Sequence, residues 1–145
     1  MSAESIVVAS DHAGYELKET LKRELTNMGY EVLDLGTNDG TESVDYPDFG
    51  FAAAEAVESG RVTRAIIVCG TGIGISIAAN RHSRVRAALC HDVDTARLSR
   101  EHNDANVLAL GGRTTDPELA KTCMKTFLET SYEGGRHDRR VAKLA

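Results

Sequence analysis

Short runs of Val, Ile and Leu alternate with segments of helical period along the whole 145-residue chain, and this alternation limits the possible folds more than any other feature. Ser5–Ala9, Glu31–Leu35, Ala65–Cys69, Val85–Cys90 and Val107–Leu110 read as strands. Ala65–Cys69 is almost wholly apolar, as a strand covered on both faces must be. Between the strands, Leu17, Leu21, Leu25 and Met28 share a helical face that Gly29 is placed to end. Pro47 opens a second helix, with Phe49, Ala52, Ala53, Ala56 and Val57 on one stripe and Gly60 at its end. A short helix reaches Asn80, Asp92 is placed to cap the next, and Asp116-Pro117-Glu118 starts one that carries Leu119, Cys123 and Phe127. Strands separated by helices pair in parallel and are covered on both sides. The expectation is a single three-layer α/β/α, Rossmann-like domain over residues 1–145 with a five-stranded parallel sheet. Its strand order is open, with a flavodoxin-like start as the starting guess.

The formal net charge of -5 argues against nucleic acid or an anionic membrane as the main partner, while leaving room for a small anion in a local positive pocket. Cys69, Cys90 and Cys123 are odd in number and contain no CxxC pair. Reduced thiols in a cytoplasmic protein fit that pattern better than a disulfide framework or a zinc site. The amino-terminal residues show neither a basic segment nor a long apolar one, so no signal peptide or membrane span is expected.

In parallel sheets, ligands bind at the carboxyl ends of the strands. Asp11 and His12 follow the first strand, Tyr46 lies in the loop after the second, Cys69 closes the third, His91 and Asp92 follow the fourth, and Arg113 follows the fifth. Gly70, Gly72 and Gly74 after Cys69 permit a tight backbone nest that suits a phosphate or an oxyanion. They equally suit a turn that only packs a helix on the sheet. The pattern is neither a dinucleotide loop after strand one nor a Walker loop, which needs a following lysine. Cys69 beside that nest is a candidate base or nucleophile, whereas Cys90 and Cys123 read as core.

Other positions stay two-sided. Asp11-His12 is an acid/base pair or a helix cap with a surface histidine, and Tyr46 closes on a ligand or packs on its loop. His102-Asn103 is a proton donor with a polar positioner, or an ordinary helix end. It falls nominally at the opposite edge of the sheet from the other candidates. The tail Arg136–Ala145 reads as a basic helix with little to bury, with Arg136, Arg140 and Lys143 on one face and His137 and Arg139 beside them. Arginine forks match phosphate. The tail, 132–145, is therefore expected to dock on a partner subunit as an exchanged helix and bring its arginines to a neighbour's site.

The runs Ala9–Gly14, Asp45-Tyr46-Pro47, Cys69–Asn80, Ser99–Asn106 and Tyr132–His137, taken in this order, closely resemble the type B ribose-5-phosphate isomerases of the ribose/galactose isomerase family over essentially the whole chain. The resemblance implies interconversion of D-ribose 5-phosphate and D-ribulose 5-phosphate in the non-oxidative pentose phosphate pathway, with no metal and no organic cofactor. It implies that Cys69 moves a proton between C2 and C1 through a cis-enediolate while Gly70, Gly72 and Gly74 amides hold the oxyanion. Thr71 would assist at the sugar oxygens, and His102 with Asp11 would open the ring. Asn103 and Tyr46 would position the sugar. His12, Arg113, Arg136 and Arg140 would bind the phosphate, the last two and His137 coming from the partner of a homodimer with shared active sites, or a tetramer built from it. Some members carry a Glu base at the position of Ile75 and no cysteine, so this chain is similar to the cysteine subgroup. Allose 6-phosphate, galactose 6-phosphate or a four-carbon sugar phosphate is the alternative substrate. A non-enzymatic sugar-phosphate module and a thiol redox protein are rivals of a different class, the latter weakened by the lack of a resolving cysteine near Cys69.

Overall fold

A computed structural model describes residues 3–145. Each strand sends alternate side chains to opposite faces, and the two faces bury separate cores. Ile6 and Val8 of β1 (Ser5–Ser10) join Ile66, Val68, Leu108 and Leu110 on one face. There they meet Leu17, Leu21 and Leu25 of α1 (Tyr15–Asn27). Val7 and Ala9 join Ala65, Ile67 and Cys69 of β3 (Arg64–Cys69) on the other. That face is covered by Ala53, Ala54, Ala56 and Val57 of α2 (Tyr46–Glu58) and by Ile75 and Ala79 of α3 (Ile73–Ala79). The first core is completed by α5 (Pro117–Glu129), whose Cys123, Met124 and Phe127 are fully buried, and by Ala96 of α4 (Val93–Glu101).

The expected helix ends are present. Gly29, at φ +93°, lets its own N–H reach Thr26 O and the Tyr30 N–H reach Leu25 O, which closes α1. Asp92 accepts from the Thr95 amide at 2.7 Å, and Asp116 from the Glu118 and Leu119 amides at 3.0 and 3.4 Å.

All pairings are parallel, and the strand order is β2-β1-β3-β5-β4, with β2 at Glu31–Asp34, β4 at Ala87–Leu89 and β5 at Val107–Gly111. The first three strands follow the flavodoxin-like start, but β5 then inserts between β3 and β4. Burial explains the exchange. β5 is buried throughout, whereas β2 and β4 are only half-buried and take the edges. The fourth strand is also shorter than the expected Val85–Cys90. The Asn80 side chain pairs with both backbone groups of Ala87, and Asn106 Oδ1 accepts from the Arg86 amide, so side chains replace the ladder there.

The chain leaves β1 for β2 on one side and returns to β3 on the other, so the loops after β1 and β3 diverge around a crevice at the carboxyl ends. The tail beyond α5 is a 3₁₀ turn, Gly135–His137, and a single short helix α6, Asp138–Ala142. It is anchored on its own α4: Glu133 donates its N–H to Glu101 O, and Arg100 Nε donates to Thr130 O. Among the described residues, no helix is long and apolar enough to cross a membrane.

Candidate active site

The crevice at the carboxyl ends holds an open cavity of about 490 Å³. Asp11, His12 and Ala13 come to it from β1, Tyr46 from the start of α2, and Cys69, Gly70 and Thr71 from β3. Ile73, Gly74 and Ile77 come from α3, and Arg113 from the loop after β5. Eight residues singled out in the sequence thus lie around one space, while Gly72 is not part of its lining.

The Gly72 turn is forced. Its φ is +79°, and a Cβ there would lie 2.5 Å from Leu89 Cδ1 and 2.9 Å from the Leu110 backbone, so no other residue fits. The turn aims the Gly72 N–H at Cys69 Sγ, 3.2 Å away, where the sulfur accepts it. The Ile73 N–H is taken by Thr71 Oγ1 at 3.2 Å. Cys69 is 4% exposed, enough to meet a ligand in the cavity. Burial pushes the Cys90 thiol up, and the Cys123 thiol up to about 11. Neither is a ready nucleophile, in keeping with their place in the core.

The surrounding loops are fixed mainly by backbone contacts. Gly112 donates to Cys69 O at 2.7 Å and Arg113 to Gly70 O at 2.9 Å, which brings the Arg113 side chain beside Gly70. Asp11 Oδ1 accepts from the Gly14 amide at 3.0 Å, so this carboxylate closes the turn into α1 while also facing the cavity. His12 is no free surface histidine. Its Nδ1 accepts from the Val44 amide at 3.1 Å, which leaves Nε2 carrying the proton in the neutral ring, as a donor. Tyr46 lies directly on Gly74, where a Cβ would meet the ring at 2.6 Å.

The loop that carries Val44 is tied at its start to a buried ion pair. Lys18, 1% exposed, reaches both Asp34 oxygens at 2.8 Å, and Asp34 Oδ1 also accepts from the Gly36 amide. Burial pushes the Asp34 carboxyl up, but hydrogen bonds from Lys18, the Gly36 amide and Lys22 outweigh it and hold the group below its usual range.

The remaining candidates are elsewhere. His102, the residue that ends α4, lines a second cavity of about 470 Å³ with Asn103, Arg136, His137, Arg140, Val141 and Leu144. The two cavities share no residue. The tail helix thus brings Arg136, His137 and Arg140 together as the sequence suggested, but Lys143 is absent from this lining and Leu144 is there instead. The 3₁₀ turn changes the helical phase from the continuous helix expected over Arg136–Ala145. Sequence reasoning did not single out Ile73 and Ile77, which are 52% and 60% exposed. Nor did it single out Glu133, whose carboxylate lies 3.9 Å from His102 and 3.5 Å from His137. The i,i+4 spacing of Glu133 and His137 and the unpaired apolar stripe of α3 were the available signals.

The family model for ribose/galactose isomerases matches residues 6–144. The solved structure of Clostridium thermocellum ribose-5-phosphate isomerase B is 53% identical, with TM-score 0.95, covering 97% of this chain and 94% of that one. Ribose-5-phosphate isomerase B of Escherichia coli is 46% identical over 139 residues, 96% of this chain and 93% of its own length. D-erythrulose-4-phosphate isomerase of Pectobacterium atrosepticum is 39% identical over 140 residues, 97% of this chain and 92% of its own. A sheet that gathers Cys69, a glycine nest and an arginine at one crevice, in a chain matched almost end to end, belongs to an isomerase of the ribose/galactose isomerase family.

Proposed function

We propose that this chain interconverts D-ribose 5-phosphate and D-ribulose 5-phosphate, and that it does so as a dimer whose active sites are each assembled from two copies. The observation that carries this reading is the separation of the two cavities. Aldose–ketose isomerisation needs a base at C1 and C2, donors for an oxyanion, an acid for ring opening, and an anion clamp. The first cavity holds the base candidate and the backbone donors, and the second holds His102 and two arginines. Asp11 and His102, the pair that would open the furanose, stand in different cavities of one chain. A second copy related by a two-fold axis would bring each cavity against its complement, because such an interface presents the same patch from both sides. Ile73 and Ile77, exposed on the rim of the first cavity, supply apolar surface for that contact.

In the assembled site, Cys69 as thiolate removes the C2 proton of the opened aldose and returns it to C1. Negative charge passes to the carbonyl oxygen, where the Gly70, Thr71 and Gly74 amides are the donors not spent on Cys69 Sγ or Thr71 Oγ1. Thr71 Oγ1 relays a proton between the sugar oxygens, and Tyr46 and Asn103 hold the carbon chain. The phosphate is met by His12 Nε2–H and Arg113 from one copy and by Arg136, Arg140 and His137 from the other, so the tail 132–145 acts on the partner. Three free thiols suit a reducing cytoplasm.

The similarity to a D-erythrulose-4-phosphate isomerase supports one alternative, a four-carbon substrate at the same residues. Turnover in EDTA of ribose 5-phosphate beside erythrulose, allose and galactose phosphates decides between them. The pentose reading predicts the highest kcat/KM for ribose 5-phosphate. A four- or six-carbon phosphate that outruns it replaces that substrate, and no turnover of any of them removes the sugar-phosphate assignment.

A further inference from the structure

The tail's turn gathers three metal-binding donors at one point. His102, Glu133 and His137 each present a ligand atom, and all three atoms lie within 4.8 Å of one another. The separations from Glu133 Oε1, 3.9 Å to His102 Nε2 and 3.5 Å to His137 Nε2, are too long for good hydrogen bonds. His137 is only 5% exposed, and its Nε2 has no hydrogen-bond partner among the described residues. Buried polar atoms are rarely left without a partner, and this one faces a carboxylate and a second imidazole.

Two imidazoles and one carboxylate form a donor set that holds Zn²⁺ while leaving a position open. Around a tetrahedral ion with bonds of about 2.0–2.2 Å, neighbouring donors lie roughly 3.3–3.5 Å apart. Glu133 and His137 already stand at such a spacing. The His102 ring stacks on His137 at 4.3 Å between centroids and 19° between planes, so its lone pair runs alongside the other rather than toward it. His102 must therefore tilt out of the stack, and its side chain, 37% exposed, has room to do so. Arg136 and Arg140 line the same cavity and oppose a cation. They keep the ion easy to strip and favour an anion at its open position.

We propose that His102, Glu133 and His137 bind a divalent ion of the Zn²⁺ class, and that filling this site stops the isomerase by taking the His102 lone pair away from the sugar ring. The inhibitory half rests on the role proposed above for His102, and the binding half does not.

The first measurement is calorimetric titration of Zn²⁺ into the EDTA-stripped full chain carrying Cys69→Ala, which removes the competing thiol, with and without Glu133→Gln. One ion per chain, bound at least about tenfold more weakly after Glu133→Gln, is the expected result. No saturable binding, or equal affinity in both proteins, overturns the site. The second measurement is Zn²⁺ inhibition of ribose 5-phosphate turnover with Cys69 intact. Glu133→Gln alone should keep near-normal turnover without metal, need about tenfold more Zn²⁺ for half-inhibition, and recover in EDTA. Equal sensitivity to Zn²⁺ would place the inhibition elsewhere and overturn the inhibitory half. If the metal-free protein turns over no ribose 5-phosphate, the pentose reading fails, while the calorimetry still decides the metal site.

Discussion

The two cavities are made in opposite ways. The first is backbone architecture: the forced turn at Gly72, two hydrogen bonds from the loop after β5 onto Cys69 and Gly70, and a sulfur capped by an amide. The second consists of side chains, from the end of α4 and a tail tied back by the Glu133 amide and Arg100 and closed on itself by the Tyr132 hydroxyl on Asp138 at 2.7 Å. The difference suits the roles proposed for the two cavities. Proton transfer at carbon requires donor and acceptor fixed within a few tenths of an ångström, which a sheet end and its nest provide. An anion clamp works through long, charged forks that adjust to their ligand.

The comparison is broken most directly at the sulfur. Cys69→Ala should lower kcat by roughly 10²–10⁴-fold with little change in substrate affinity, measured by turnover alongside equilibrium binding. Equal loss of affinity would mean that Cys69 only shapes the cavity. The separation of the halves is tested by mixing Cys69→Ala with His102→Ala after unfolding and refolding together. If the sites are shared, half the dimers are mixed and one site in each is intact, restoring about a quarter of wild-type activity. No recovery would place both residues in one chain's own site.

Smaller effects are expected at the clamp. Arg136→Ala should raise KM about 10- to 100-fold with kcat nearly kept, the signature of lost uniform binding through charged hydrogen bonds. A drop confined to kcat would move Arg136 into the chemistry. The smallest effect on rate, but a large one on stability, is expected at Asp34. Asp34→Ala strands the buried Lys18 with only Glu19 beside it at 3.1 Å and should cost about 3 kcal/mol, seen as a lower denaturation midpoint. Because the folded-state pKa of Asp34 is depressed, its contribution is complete above the unfolded carboxyl value of about 4 and fades as pH falls through the lower folded value. The variant should therefore lose less stability than wild type on acidification. Parallel acid curves for the two proteins would show the pair to be idle.

Much of the fold could be read from particular residues. Gly29, Asp92 and Asp116 were visible as helix ends because capping is local. Ala65–Cys69 was visible as a central strand because burial on both faces leaves no polar position. Val85–Cys90 misled for the complementary reason: an apolar run does not show that Asn80 and Asn106 will take over its edge hydrogen bonds. Cys69 and its glycines stood out because motif and strand end coincide in sequence. Glu133 did not, because its spacing from His137 gains meaning only once the turn folds both against His102.

By itself the sequence determined the layers, the caps, the glycine nest and the family, since these rest on periodicity and on contacts between residues close in the chain. Only the tertiary structure decided that β5 lies inside β4, that the Val44 amide holds His12 with Nε2 as donor, and that His102 stands in a different cavity from Asp11. Those facts depend on packing between segments tens of residues apart, where burial and hydrogen-bond satisfaction are settled by the whole molecule and not by any one stretch of chain.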